Sequence, residues 1–231
     1  MGLSDFLFPK KCVNCGKFGD FVCPDCFIYI SFDVPLICLV CNRQTYTGLT
    51  HDRCRGRYII DGAFSSVVFG KVAKKLVYRL KYKPFLSSLC VFMVDLFYES
   101  LIQKEAFARV YDDQSLLVPI PLHKTKYRQR GYNQAELLAK GLSVKLGVPV
   151  VSTLERVKKT QSQVSLDRKM RRENIAGAFV IAEKAGEILR KKTIFLVDDV
   201  LTSGATLSEA ASVLKRGGAG KVYGLTLAHG Q

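Results

Sequence analysis

Hydrophobic and polar positions follow two regimes along the chain, and they meet near Asp61. From Met1 to about Tyr58 the apolar runs are short and turn residues are frequent, so this segment can scarcely bury a core of its own. From Ile59 onward, continuous apolar runs alternate with stretches of helical period, the sign of βα units around a mostly parallel sheet. Strands are predicted over 63–69, over 115–121 where two prolines suit a strand end, from Val150, over 193–197 and over 222–228. Helices are predicted over 71–82, 84–104, 133–146 and 206–215, the last closed by Gly217 and Gly218. The polar, basic stretch from Arg156 to Asn174 predicts a mobile loop followed by a short helix. Residues 85–102 approach the length of a membrane span, but Asp95 and Glu99 interrupt them, so a buried amphipathic helix is expected and no span.

Composition adds little to this division. With 231 residues the chain has room for one α/β core and a small satellite, here taken as residues 61–231 and 1–60. A hydrophobic share of 48% and a charged share of 24% predict a chain folded throughout. Met1–Asp5 begins no basic region followed by an apolar run, so a cytoplasmic location is expected. The net charge of +15 changes the picture more, because it favours a polyanionic partner or phosphate-rich ligand. Solubility alone is the plainer explanation, but it accounts least well for the clustering of basic residues at Lys124–Arg130 and Arg156–Arg172.

Seven of the eight cysteines fall in the first 54 residues, as Cys12/Cys15, Cys23/Cys26, Cys38/Cys41 and Cys54, which follows His51 by three positions. Each two-residue gap lets both ligands of one turn face a single ion, so in a reducing compartment the pattern predicts zinc rather than disulfides. Sequential pairing puts Cys12, Cys15, Cys23 and Cys26 on one ion and Cys38, Cys41, His51 and Cys54 on another, in a head of two zinc ribbons. An interleaved pairing is the alternative. Metal would supply the folding energy of such a head. Cys90 is left over as a buried thiol.

The most informative segment runs from Ile194 to Thr206. An apolar strand delivers Asp198 and Asp199 at its carboxyl end, and a short loop rich in hydroxyls opens a helix, where open α/β sheets bind ligands. Thr202, Ser203, Gly204, Ala205 and Thr206 suit a phosphate cradle, and the acid pair suits a ribose diol or an attached magnesium ion. Simple helix capping needs only one such residue. A nucleotide-hydrolysing strand with paired acids is the other rival, but no G-x-x-x-x-G-K-[ST] occurs in the chain.

This segment resembles the phosphoribosyltransferase signature at every position of the strand, acid pair and loop. The resemblance implies that Asp198 and Asp199 contact the ribose hydroxyls of phosphoribosyl pyrophosphate while residues 202–206 hold its 5-phosphate. Two further runs narrow it: Val118–His123 and Arg128–Leu138, with Arg156, Thr160, Gln163, Arg171 or Arg172, Asn174, Gly177 and Phe179. With the cysteine-rich head they resemble the ComF family of competence-related proteins over essentially the whole chain, although His51 stands where that family more often has cysteine. The implied fold is a type I phosphoribosyltransferase-like sheet flanked by helices, behind a zinc-ribbon head.

Arg128 and Arg130 suit the charge of a pyrophosphate leaving group. Lys158 and Lys159 fall where related enzymes close a flexible loop. Arg168, Lys169, Arg171 and Arg172 suit phosphate contacts of a nucleic-acid groove, and Tyr127 and Tyr132 suit base stacking, against the plainer readings of a charged helix face and half-buried rings. Two functional classes stay open. One is a phosphoribosyl-binding module acting in DNA uptake and natural transformation, in contact with single-stranded DNA and a helicase-like translocase. The other is an active phosphoribosyltransferase of nucleotide or nucleobase metabolism, with magnesium as cofactor. No residue identifies an acceptor.

Overall fold

A computed structural model of the chain describes residues 9–82, 87–160, 168–183 and 185–230. Four parallel strands form the central sheet in the order β1 (Gly62–Val68), β6 (Lys221–His229), β5 (Thr193–Leu201) and β2 (Leu116–Pro119). Val150 adds a parallel bridge to Leu117 beyond β2, which is what becomes of the short strand predicted there. β5 is longer than its apolar run. Pairing with β6 continues past Val197, Asp198 opposite Thr226 and Leu201 opposite His229, so the two acids lie within the strand rather than after it.

Burial alternates along the strands with the period of two that puts neighbouring side chains on opposite faces. Phe195 and Val197 join one core with Leu117, Tyr223 and Leu225, while Ile194 and Leu196 join the other with Leu116, Val118 and Val222. The first face is covered by α2 (Lys71–Tyr82), α3 (Ser87–Ile102), α4 (Glu105–Val110) and α6 (Gln134–Leu146). α7 (Arg168–Ile175) and α9 (Ala205–Arg216) cover the second. The predicted start of α3 at Pro84 lies outside the described residues.

Beside the second core a separate two-stranded antiparallel sheet pairs β3 (Leu154–Arg156) with β4 (Phe179–Ile181). Arg156, read from sequence as the start of a loop, is thus anchored on a strand; Gln163 lies outside the described residues. Apolar period had no purchase on α1 (Pro24–Phe27), α4, α5 (Lys124–Arg130), β4 or α8 (Ala185–Leu189), because each is too short to display one.

The cysteine-rich segment covers the exposed edge of β1, the Ala63 N–H donating to Gly48 O (3.0 Å) and the Val68 N–H to Ser31 O (2.8 Å). It also straddles the sheet. Cys12, Phe21, Cys23 and Ile30 enter the first core, and Leu39 enters the second.

Candidate functional site

The carboxyl ends of the four parallel strands open on one cavity of about 720 Å³. Phe69 and Gly70 line it from the exit of β1, Ile120 and Leu122 from β2, and Gly230 from β6. β5 contributes most, with Asp198 and Asp199 and then Thr202, Gly204, Ala205 and Thr206.

Asp199 is buried and forms an ion pair with Lys81 of α2, Nζ to Oδ2 at 2.5 Å, while its N–H donates to Asp198 Oδ1 (2.8 Å). Burial works against the Lys81 ammonium, but the charge and hydrogen bond of Asp199 outweigh it and raise its pKa. Asp198 has no such cation of its own. Burial and the neighbouring Asp199 charge push its carboxyl up to about 7, with Lys81 pulling the other way. One carboxylate is therefore paired with an ammonium, while the other, Asp198, is pushed up to about 7.

Beyond β5 the chain turns at Gly204, whose φ of 72° lies in the left-handed region that favours glycine. This conformation starts α9 and leaves the first N–H groups of the helix without intrahelical partners. One of them, on Ala205, reaches Ser203 Oγ (3.4 Å). Ser203 is not among the lining residues, whereas Thr202 and Thr206 are.

Among the described residues, six cations line the cavity against two carboxylates: Lys74, Lys81, Lys126, Arg130, Arg156 and Arg171. Their crowding is felt electrostatically. Lys126 has its pKa lowered by desolvation and by the charges of Arg156, Arg130 and Lys81. Arg130 donates to Gln134 Oε1 and lies over the Tyr82 ring, 5.4 Å from its centroid. Arg156 donates to Thr160 Oγ1 and lies 5.5 Å from the centroid of Phe179. Of the cations expected from sequence at a phosphoribosyl site, the cavity gathers Arg130 but not Arg128, Lys158 or Lys159. Arg128 is exposed on α5, and the Lys158 Nζ donates to Ala176 O (3.3 Å). Sequence reading missed Lys74, Lys81 and Lys126. Lys81 left one trace, in standing four residues after the buried Val77 on the apolar stripe of α2.

The Arg130–Gln134 run places these groups. Gly131, at φ 82°, closes α5, and Asn133 caps α6 by accepting from the Ala135 N–H (3.1 Å). The Asn133 amide also donates to Ile120 O (3.0 Å), tying both helices to the exit of β2. Tyr132, read as a stacking residue, donates its hydroxyl to Leu80 O beside Lys81; Tyr127 is exposed.

The cysteines gather into the two groups expected, Cys12 with Cys15, Cys23 and Cys26, and Cys38 with Cys41, His51 and Cys54. Within each group the ligand atoms lie within 4.8 Å of one another. Tetrahedral thiolates at a zinc–sulfur distance of about 2.3 Å stand about 3.8 Å apart, and Cys15 and Cys23 are 3.6 Å apart. His51 directs Nδ1 at the Cys41 sulfur (3.3 Å) and Nε2 at Gln44 O (3.1 Å), an orientation typical of a metal-ligating imidazole. The backbone N–H of Arg43 is the largest influence on Cys41 and helps bring its thiol down to about 6, toward the thiolate that zinc requires. Both groups could hold zinc.

A parallel sheet flanked by helices, with an acid pair and a hydroxyl-rich loop at the end of a central strand, defines the phosphoribosyltransferase class. The phosphoribosyl transferase domain family matches residues 130–229. Competence protein F of Haemophilus influenzae is 39% identical over 115 residues, 48% of this chain and 50% of that protein. DNA utilization protein YhgH of Escherichia coli K12 is 33% identical over 107 residues, 46% of this chain and 45% of that one. Competence protein ComFC of Bacillus subtilis is 28% identical over 215 residues, 89% of this chain and 83% of that protein. The chain thus spans about half the length of the first two relatives and most of the third. With its two cysteine groups, the chain is similar to ComF-type proteins: a phosphoribosyltransferase-type domain behind a head whose cysteine clusters are compatible with a zinc ribbon. Among the described residues, no helix is long and apolar enough to cross a membrane.

Proposed function

We propose that the cavity binds phosphoribosyl pyrophosphate or a related ribose 5-phosphate ligand, and that the chain acts through it in DNA uptake and natural transformation, in contact with single-stranded DNA. The observation that carries the ligand reading is the meeting of acid pair, phosphate-type loop and six cations in one cavity. The N–H groups at the start of α9, with Thr202 and Thr206, receive the 5-phosphate. Asp199, paired with Lys81, accepts from a ribose hydroxyl, and Asp198 is the carboxylate left to meet the diol or magnesium. Asp198 would hold magnesium, which when bound would neutralise part of the pyrophosphate charge; Arg130, Lys126 and Arg156 supply the rest. The competence role rests on the names of the relatives, and DNA contact on the charge of +15.

The test is calorimetry with magnesium and phosphoribosyl pyrophosphate on the full chain and on the Asp198→Asn/Asp199→Asn variant. Binding by the parent, and its loss in a variant whose circular dichroism is unchanged, is expected; equal affinity in a folded variant would overturn the reading. A pyrophosphate-release assay on the same samples separates the two classes, turnover favouring an active transferase over a binding module.

A further inference from the structure

The two cysteine groups have the same local build but different neighbours. In the first, the Cys12 N–H donates to Lys17 O (2.8 Å) and the Gly16 N–H to Cys12 O (2.9 Å). In the second, the Cys38 N–H donates to Arg43 O (2.9 Å) and the Asn42 N–H to Cys38 O (2.8 Å), with Asn42 at a φ of 61°. The residues between the paired ligands are thereby presented outward in the same way. In the first turn Asn14 receives Lys75 of α2, through both its carbonyl (3.2 Å) and its side-chain oxygen (3.0 Å). In the second turn the corresponding residue pair is Leu39 and Val40, and it meets the ligand loop.

Leu39 is 1% exposed and shares one core cluster with Leu201 and Leu207, which flank the loop 202–206, and with Ala205 inside it. The contact with the loop itself is close. A methyl group placed on Gly204 would stand 3.0 Å from Leu39 Cδ2, 3.3 Å from Cδ1 and 3.4 Å from Cγ. The Arg172 guanidinium also donates to Val40 O (3.4 Å), so α7 bears on the same turn. Gly204 is the position where the backbone adopts the left-handed conformation that starts α9, and Gly204, Ala205 and Thr206 all line the cavity. Whatever fixes Leu39 therefore fixes that conformation from behind.

We propose that Leu39 is a positioning residue for the loop 202–206, and that metal held by Cys38, Cys41, His51 and Cys54 sets the order of the loop. Bonds from Cys38 and Cys41 to one ion would pin both ends of the two-residue turn, which without metal is held by its hydrogen bonds and the packing of Leu39. The consequence for ligand affinity rests on the function proposed above; the coupling of metal to loop does not.

Hydrogen exchange of the backbone amides that close the first turn of α9 on the loop, beginning with the Ser208 N–H on Gly204 O (2.9 Å), in the full chain, reads the coupling without any ligand. Leu39→Ala should keep two zinc ions by metal analysis and exchange these amides about tenfold faster or more, while β6 amides stay as in the parent. Cys54→Ser should lose one zinc and give the same acceleration, and the double variant should exceed neither single one, since both act through one contact. Leu39→Met, which conserves volume, should restore the parent rates. Should Leu39→Ala accelerate β6 as well, Leu39→Met and Cys54→Ser decide the matter. Unchanged loop exchange after loss of the second zinc would overturn the proposal. Ribose 5-phosphate calorimetry on the same proteins should show about a tenfold loss of affinity in Leu39→Ala. A parent that fails to bind would overturn the proposed function instead, and leave the exchange rates to judge the coupling.

Discussion

Asp198 and Asp199 are neighbours in sequence, yet the cavity treats them differently because a single ammonium, Lys81, reaches only the second. A carboxyl whose pKa rises on folding binds more protons folded than unfolded, so its contribution to stability is fully present at low pH and is lost as pH rises. For Asp198 the window runs from the ordinary 3.8 to about 7. The urea midpoint of the parent should therefore fall with rising pH across that window, relative to Asp198→Asn. Ligand affinity should move the opposite way, because the diol or magnesium needs the ionised form, and should climb as pH passes through about 7. Lys81→Met, which removes the charge that lowers the Asp198 pKa, should shift that climb to higher pH. Calorimetry across pH 5 to 9, a range of roughly two pKa units either side of neutrality, would reject this account if affinity were flat in the parent.

At the level of elements, two neighbouring helices on the first face decide where the cavity's second wall stands. α6 packs on α3 through Gly141, where a methyl group would meet Val94 Cγ2 at 2.4 Å and Cγ1 at 2.9 Å. Val94 is itself buried, so its side chain has no free direction to take. In an exposed helix, glycine to alanine gains about 1 kcal/mol from backbone propensity. Here overpacking outweighs that gain, and Gly141→Ala should lower stability by about 1 to 3 kcal/mol in denaturant unfolding. A variant as stable as the parent would mean that α3 is free to move aside. The cost matters for the site because α6 begins at Asn133, which anchors the exit of β2.

Across the whole molecule the charge of +15 is divided between a cavity that concentrates six cations and an exposed surface that carries others. The basic stretch first read as a nucleic-acid groove mixes the two. Arg171 lines the cavity, Arg172 meets Val40, and the side chains of Arg168 and Lys169 lie outside what is described. Lys124 and Arg128, exposed on α5 and absent from the cavity lining, give a cleaner test of DNA contact. Changing both to Gln should weaken single-stranded DNA binding and flatten the slope of log affinity against log salt by about 1.4, for two phosphate contacts. Phosphoribosyl binding should stay as in the parent. An unchanged salt slope in fluorescence titrations would remove these two residues from any DNA surface.

Much of this chain is written in local pattern. Continuous apolar runs mark β1, β5 and β6, two-residue gaps mark the paired cysteines, and the acid pair with its loop marks the candidate site, because each depends on residues within one turn or one strand of each other. Two-residue caps such as Gly131 and Asn133 are equally local, and with hindsight explain why that run reads as a motif. What tertiary structure alone decided is long-range. The Lys81–Asp199 pair joins residues 118 positions apart, and the Leu39–Gly204 contact joins a cysteine turn to the loop 202–206 over a still longer separation. Neither has a spacing that a sequence can display, because charge pairing and packing act through space, and the sheet that brings these segments together forms only when strands distant in sequence pair.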